Sequence, residues 1–129
     1  MPVDVHVVTP EREVWSGETP LLIARGVDGE LGIMGGHMPI LVQLAVGPLR
    51  ITHDGTEDVI VVDGGFLHVA TEDGVTRADV LATDAVPAAE VDVDASKRAL
   101  EELRATDDGT DPEVALAIER AAVRAGLKV

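Results

Sequence analysis

The chain contains no cysteine and no tyrosine, and it has only one tryptophan and one phenylalanine among its 129 residues. The absence of cysteine excludes disulfide frameworks, thiolate chemistry and zinc sites with cysteine ligands. With so few aromatic side chains, the chain offers no platform on which nucleobases could stack. Several classes of enzyme and nucleic-acid-binding module are therefore excluded before any motif is considered.

Basic residues and long apolar stretches are also scarce. Ten lysines and arginines stand against 24 aspartates and glutamates, which gives a formal net charge of −14. Because nucleic acids and anionic membranes are bound through basic residues, we expect neither as a direct partner. The sequence has no apolar stretch near the roughly 20 residues of a membrane-spanning helix, and it begins without the pattern of a signal peptide. We expect a soluble chain whose acidity serves solubility or complements a basic partner.

The first two thirds of the sequence are typical of an antiparallel β-sheet. Short runs rich in valine and isoleucine alternate with polar residues, and Asp-Gly or Gly-Gly dipeptides separate these runs about every ten residues. This spacing predicts an antiparallel sandwich or barrel over residues 1–82. We expect strand breaks at Gly47-Pro48 and at Asp63-Gly64-Gly65, where glycine or proline interrupts the apolar runs.

The last third is rich in alanine, glutamate, arginine and leucine, which favour helices. We predict one helix over residues 95–105 and a second that begins after Asp111-Pro112 and ends near Gly126. The apolar stripe of the second helix consists mainly of alanine: Val114, Ala117, Ile118, Ala121, Ala122 and Ala125. Because alanine buries much less area than leucine, we expect this hairpin to dock weakly on the sheet and to be able to leave it.

Five glycines fall between Gly26 and Gly36, and the segment ends in His37-Met38-Pro39. Such density predicts tight turns and is often found on a surface that another subunit contacts. The segment lacks the spacing of a phosphate-binding loop. Glu30 lies inside it, where it could meet an arginine of a partner, and His37 is a second interface candidate.

Other chemistry finds little support in the sequence. The four histidines, His6, His37, His53 and His68, lie far apart and lack the spacing of metal ligands. The acidic run 107–111 lacks the ligand spacing and closing glutamate of a calcium loop. No serine or threonine belongs to a recognisable nucleophile, histidine and carboxylate motif. We therefore predict no metal site and no catalytic residue.

The order of these motifs resembles the epsilon subunit of bacterial F-type ATP synthases. The matching strings are Val8-Thr9-Pro10-Glu11, Gly29-Glu30-Leu31-Gly32-Ile33 with Gly36-His37-x-Pro39, Asp63-Gly64-Gly65-Phe66-Leu67-x-Val69, and Val75-Thr76 before Leu81-Ala82. The second string is far more specific than a single glycine motif. With the helical hairpin that follows, the resemblance covers nearly the whole chain.

The resemblance implies a β-sandwich of about ten antiparallel strands over residues 1–86, followed by a two-helix α-hairpin over residues 87–129. It implies a non-catalytic rotor subunit of the central stalk that couples proton transport to ATP synthesis. Its implied partners are the gamma subunit, the polar loops of the c-ring and the catalytic alpha/beta hexamer, which the C-terminal helices would reach to hinder ATP hydrolysis. The subunit would lie at the cytoplasmic face of the cell membrane and meet the membrane only through the c-ring.

The resemblance also assigns two sets of site residues. The interface with the c-ring and gamma would contain Glu30, Leu31, Gly32, His37 and Pro39. Some family members bind ATP between the sandwich edge and the hairpin, through an Asp-x-x-Arg-Ala motif and two arginines. Here those positions hold Asp92, Arg120 and Arg124, whereas Ala95 replaces the arginine of the motif. Loss of that cation costs on the order of 1–3 kcal/mol of triphosphate binding, so we expect no cofactor and weak or absent ATP binding.

Two further departures from the family pattern and two alternative interpretations remain open. Gly35 stands where the family commonly has proline, and residues 95–129 hold six basic and seven acidic residues, which argues against strong inhibition by an extended hairpin. Arg120 and Arg124 could also form an exposed face paired with neighbours such as Glu113 and Glu119. The alternative function is a stand-alone nucleotide-sensing β-sandwich with a helical lid, which would not co-purify with gamma.

Overall fold

The computed structural model describes residues 2–127, so Lys128, which was counted in the hairpin charge, lies outside the described residues. The strands are β1 (Val3–Val8), β2 (Glu13–Thr19), β3 (Leu21–Gly26), β4 (Gly29–Ile33), β5 (Ile40–His53), β6 (Thr56–Glu72), β7 (Val75–Ala82) and β8 (Ala85–Pro87). A 3-10 turn at Ala88–Glu90 leads to the helices α1 (Val93–Thr106) and α2 (Pro112–Ala125). The predicted sheet followed by a helical hairpin is confirmed.

The strands form a mixed sheet rather than a wholly antiparallel one. Their order is β2-β1-β7-β6-β5-β3-β4, and β8 pairs with β6. All of these pairs are antiparallel except that of β1 with β7, in which Val3 lies opposite Thr76. Tight turns impose antiparallel pairing only on consecutive strands, and β1 and β7 are separated by most of the sheet. The expectation of antiparallel pairing throughout was therefore wrong for this one pair.

The described residues form eight strands rather than about ten, because two predicted breaks lie inside long strands. Gly47 and Pro48 remain paired with Val62 and Val61, so β5 continues through them. Gly64-Gly65 likewise lies within β6. Glycine here bends a strand instead of ending it. Both long strands consequently contribute to two parts of the sheet.

The bend of β6 requires glycine. Gly64 and Gly65 have φ angles of 97° and 130°, which side-chain-bearing residues rarely adopt. A Cβ atom on Gly65 would lie 2.1 Å from the carbonyl oxygen of Leu81 on the neighbouring strand β7. The backbones of β6 and β7 therefore approach so closely at Gly65 that no side chain fits between them.

A single apolar core lies between the two parts of the folded sheet. Val5 of β1 and Val80 of β7 belong to the same buried cluster as Leu22 of β3 and Ile33 of β4, although these strands lie on opposite sides of β5 and β6 in the sheet. All four side chains are fully buried. The sheet therefore folds over itself into a sandwich, as predicted.

The hairpin covers part of the outer face of this sandwich. Four consecutive residues of β6, Ile60–Asp63, are buried. Ile60 and Val62 belong to the core cluster, so Val61 and Asp63 face the opposite side, where α2 packs against β5 and β6. Ala121 is the only buried residue of the two described helices. This narrow contact agrees with the alanine-rich stripe predicted for the second helix.

Aspartate side chains begin both helices. The Asp92 carboxylate accepts a hydrogen bond from the backbone N–H of Ala95 at 2.9 Å, which starts α1 two residues before the predicted position. Asp111 accepts from the N–H of Glu113 at 2.9 Å, and α2 ends at Ala125 with Gly126 as its C-cap, as predicted. Neither described helix is long and apolar enough to cross a bilayer.

We predict that Gly65→Ala destabilises the fold by more than about 3 kcal/mol, because the new methyl group overlaps the backbone of β7. Gly74→Ala is the matched control, since Gly74 also has a positive φ but its Cβ would meet no atom within 4 Å. The control should lose only about 1–2 kcal/mol of backbone strain. Urea unfolding of both variants measures the difference, and equal losses would contradict the steric argument.

Candidate functional site

The glycine-rich segment forms the edge strand β4 and the loop that follows it, rather than turns alone. Gly29–Ile33 pairs with β3, and Glu30 lies opposite Arg25. Among the described residues, β4 has no partner on its other edge. Glu30 and Gly32 are exposed, whereas Leu31 packs against the core. Of the three β4 residues predicted at an interface, Leu31 is therefore the one whose side chain is largely engaged within the chain.

The loop over residues 34–39 is fastened to the end of the β6–β7 hairpin. The backbone N–H of Gly36 donates to the hydroxyl of Thr76 at 2.7 Å, and the Thr71 hydroxyl donates to the carbonyl of His37 at 3.1 Å. Thr76 is fully buried, so this anchor is shielded from water. His37 is half-buried and Pro39 is exposed. The predicted interface residues of this loop therefore sit on a fixed support.

Exposed apolar side chains surround this loop. Met34 is 62% exposed, Met38 is 76% exposed and Val75, next to the anchoring threonine, is 57% exposed. We call Met34, His37, Met38, Pro39 and Val75 the loop-end surface. Methionine side chains are adaptable, and clusters of exposed apolar side chains occur at interaction sites, so this surface is a candidate site. Sequence analysis did not single out Met34, Met38 or Val75, although their position beside turn residues was an available signal.

A second exposed apolar group lies on the outer face of the sheet. Leu41 is 68% exposed, Phe66 is 49% exposed and Leu81 is 56% exposed. Phe66 lies directly opposite Leu81 on β7, and Leu41 lies two residues from Gln43, the partner of Phe66 on β5. These positions are close enough for side chains to touch. We call Leu41, Phe66 and Leu81 the outer-face patch, which sequence analysis missed because their role depends on strand pairing.

Charged groups border the outer-face patch. Arg77 pairs with Asp79 at 3.0 Å. The ring nitrogens of His6 lie 3.1 Å from Glu13 and 3.1 Å from Asp4, and the hydrogen bond with Glu13 raises the pKa of His6 above its usual value. An apolar centre with a charged rim is the ordinary composition of a protein interface.

The two arginines of α2 meet a carboxylate of the sheet. Arg124 Nη2 donates to Asp63 Oδ2 at 2.9 Å, and Arg120 Nε lies 3.6 Å from the same oxygen. Asp63 is only 8% exposed. Arg124 also lies 3.9 Å from Asp84. Their common face was predicted from the spacing of four residues, but Asp63 replaces Glu113 and Glu119 as their partner.

Asp92 stands apart from the two arginines. Its side chain is exposed and caps α1, and among the described ion pairs it has none with Arg120 or Arg124. The three residues assigned to an ATP site are thus divided between a helix cap and an ion-pair cluster. The available sequence signal for Asp63 as the partner of these arginines was its position directly after a buried apolar run.

The far end of α2 does not fit closely against the sheet. A groove of about 1030 Å³ opens there, with Trp15 and Arg50 on the sheet side and Ala122 and Val123 on the helix side. The Trp15 indole N–H donates to Asp58 at 3.3 Å. The contact between the hairpin and the sandwich is therefore incomplete beside the arginine cluster.

Comparison with known proteins places these features in one family. The model of the ATP synthase delta/epsilon chain β-sandwich domain matches residues 2–88. An ATP synthase epsilon chain of Bacillus pumilus is 34% identical over 123 residues, which cover 92% of this chain and 91% of the relative. One of Streptomyces avermitilis is 40% identical over 113 residues, covering 85% of this chain and 88% of the relative.

A solved structure is also similar. A chain in the cryo-EM structure of the Euglena gracilis mitochondrial ATP synthase (OSCP/F1/c-ring) is 28% identical, with a TM-score of 0.75. The alignment covers 95% of this chain and 74% of that chain. The sandwich, the hairpin and the sequence matches together show that this chain belongs to the ATP synthase epsilon chain family.

Proposed function

We propose that this chain is a central-stalk subunit that links the c-ring to the catalytic head of a proton-translocating F-type ATP synthase. Epsilon chains are non-catalytic subunits of that membrane-associated complex. The observation that carries the proposal is the presence of two separate exposed apolar surfaces on one rigid sandwich. A rotor subunit needs such surfaces because it must hold two neighbours at once. In this arrangement the chain lies peripherally at the cytoplasmic face of the cell membrane.

The loop-end surface and Glu30 are assigned to the polar loops of the c-ring. Glu30 is exposed on an edge strand, and its charge suits an arginine or lysine of a partner. Met34 and Met38 supply apolar contact area close to the anchored His37 loop. A fixed loop loses little conformational entropy when it binds, which favours a contact that must transmit torque.

The outer-face patch is assigned to the gamma subunit. Phe66 presents an aromatic anchor beside two exposed leucines within a charged rim, and aromatic residues are enriched in protein interfaces. The outer-face patch lies within β5, β6 and β7, whereas Glu30 lies on the edge strand β4 and the loop-end surface lies where strands begin or end. The two surfaces share no residue, so gamma and the c-ring are assigned to different residues of the sandwich.

The hairpin is assigned to regulation of ATP hydrolysis through contact with the alpha/beta hexamer. Only Ala121 is buried among the described helical residues, so the folded position of α2 rests on a small apolar area and an ion-pair cluster. Such a position can be exchanged for another when the two differ by a few kcal/mol. The balance of charges in the hairpin favours a mild brake.

ATP binding is proposed to be weak or absent. Asp63 already engages Arg120 and Arg124, so a triphosphate would have to displace a largely buried carboxylate. Asp92 serves as a helix cap, and Ala95 supplies no side-chain cation. These observations weigh against the alternative of a stand-alone nucleotide sensor.

We predict that Phe66→Ser lowers retention of the chain on immobilised gamma at least about tenfold, as expected for a truncated aromatic hot spot. Val27→Ser is the matched control, because Val27 is 53% exposed but lies in the β3–β4 turn. The control should leave retention unchanged. Equal retention of the two variants would contradict the assignment of the outer-face patch.

We predict that Glu30→Lys lowers proton-driven ATP synthesis in membrane vesicles without unfolding the sandwich, because it reverses the charge proposed to face the c-ring. Glu11→Lys, an equally acidic exposed position in the β1–β2 turn, should not lower it. Circular dichroism of both purified variants checks the fold. Unchanged coupling in Glu30→Lys would remove Glu30 from the proposed contact.

We predict that the full chain inhibits ATP hydrolysis by the reconstituted catalytic head with gamma and that truncation after Asp94 relieves this inhibition. The truncation removes nearly all of both helices and retains every strand. Hydrolysis rates without the chain, with the full chain and with the truncated chain provide the test. Equal rates in all three would mean that the hairpin is not a brake and that the chain serves coupling and assembly.

A further inference from the structure

We propose that the Asp63 carboxylate is the latch of the C-terminal hairpin. It holds α2 on the sheet through Arg120 and Arg124, so the closed hairpin requires no bound nucleotide or other external anion. The inference rests on the proposed function only in treating the hairpin as a brake. The latch itself is a property of the isolated chain.

The position of Asp63 is fixed by backbone geometry. Its N–H donates to the carbonyl of Asp84 at 2.9 Å, just before the strand bends at Gly64 and Gly65. The side chain points away from the core, since Val62 before it belongs to the core cluster. The carboxylate therefore lies on the outer face beneath α2, and the backbone that carries it cannot shift without disturbing the sheet.

The two guanidinium groups reach this carboxylate from one face of α2. Arg120 and Arg124 are four residues apart, and both approach Asp63 Oδ2, at 3.6 Å and 2.9 Å. Their side chains are 35% and 24% exposed, against 6% for that of Asp63. Two cations thus cover one nearly buried anion. When α2 departs, Asp63 loses its cationic partners.

The remaining contacts of the hairpin are too small to replace this ion pair. Ala121 is buried, α1 has no buried residue, and the groove beside Ala122 and Val123 leaves the end of α2 open. Within the ion-pair cluster, Asp63 Oδ1 and Arg120 Nε are buried without a hydrogen-bond partner among the described protein groups. When the hairpin opens, the charged groups of this cluster become hydrated, and when it closes they lose that water. The position of the hairpin is therefore sensitive to the removal of a single charge from the cluster.

The test is hydrogen exchange of the α2 backbone amides in the full chain. Asp63→Asn keeps the shape of the side chain and removes its charge. We expect α2 exchange to rise at least about tenfold, as for the loss of a hydrogen bond between charged groups, with exchange of the β1 and β7 amides unchanged. Asp84→Asn is the matched control, because Asp84 is 56% exposed and lies 3.9 Å from the same Arg124. The control should change α2 exchange by less than about twofold.

A double-substitution series keeps the test specific. Arg124→Gln alone should also accelerate α2 exchange, whereas in the Asp63→Asn background it should add little, because the pair is already broken. Unchanged α2 exchange in Asp63→Asn would overturn the latch. Equal acceleration of α2 and of the sheet would also overturn it, since Asp63 would then support the whole fold rather than the hairpin.

A fluorescence measurement distinguishes displacement of the hairpin from local fraying. The chain has one tryptophan, Trp15, and no cysteine, so Ala115→Cys allows one acceptor dye to be attached to an exposed position of α2. Energy transfer from Trp15 should fall in Asp63→Asn and stay constant in Asp84→Asn. Addition of MgATP should change neither energy transfer in the labelled Ala115→Cys chain nor α2 exchange in the unsubstituted chain. A MgATP-induced slowing of α2 exchange would overturn the claim that closure needs no external anion.

These measurements are independent of the catalytic head. If Asp63→Asn releases α2 but the full chain fails to inhibit hydrolysis, the latch stands and the brake is wrong. If the full chain inhibits hydrolysis but Asp63→Asn leaves α2 closed, the brake stands and the latch is wrong.

Discussion

The close approach of β6 and β7 at Gly65 is the constraint on which the rest of the structure depends. At this point β6 bends, and the neighbouring strand passes from β7 to β8, with the N–H of Thr83 donating to the carbonyl of Gly64 at 3.1 Å. The bend lets β5 and β6 serve both parts of the sandwich and enclose one core. It also sets the direction of Asp63, which precedes it. The fold and the attachment of the hairpin therefore originate in the same short segment.

The long strands separate two kinds of contact along their length. The first part of β6 is covered on its outer face by α2, whereas Phe66, after the bend, opens its outer face to solvent. An apolar surface that stays open in the folded chain suits a permanent neighbour. A surface covered by a helix that is proposed to detach suits a neighbour that binds only when the helix is open. Because the same strands carry both surfaces, the proposed function has the subunit remain in the rotor through one surface while the hairpin changes position on the other.

Local rules account for the parts of the fold that the sequence predicted correctly. Asp111-Pro112 began α2 because its cap and first turn involve only adjacent residues, and the alanine stripe identified the face that contacts the sheet. The continuity of β5 through Gly47 and the parallel pairing of β1 with β7 depend on distant strands, so turn residues could not reveal them. The partner of the two arginines was missed for the same reason, since Asp63 is 61 positions from Arg124.

An ion pair beside an alanine seam is suited to a helix that must leave the sheet and return. Each leucine buried in such a seam would stabilise the closed form by about 1.5–3 kcal/mol, because the same side chain would be exposed to water in the open form. Charged groups behave differently, because water hydrates them when they separate. The free energy by which the ion pair favours the closed form over the open form therefore stays small. One carboxylate beneath two arginines nevertheless ties the closed position to specific partners, because both guanidinium groups approach the same oxygen. In the proposed latch, the hairpin thus gains positional specificity without the stability that would prevent its release.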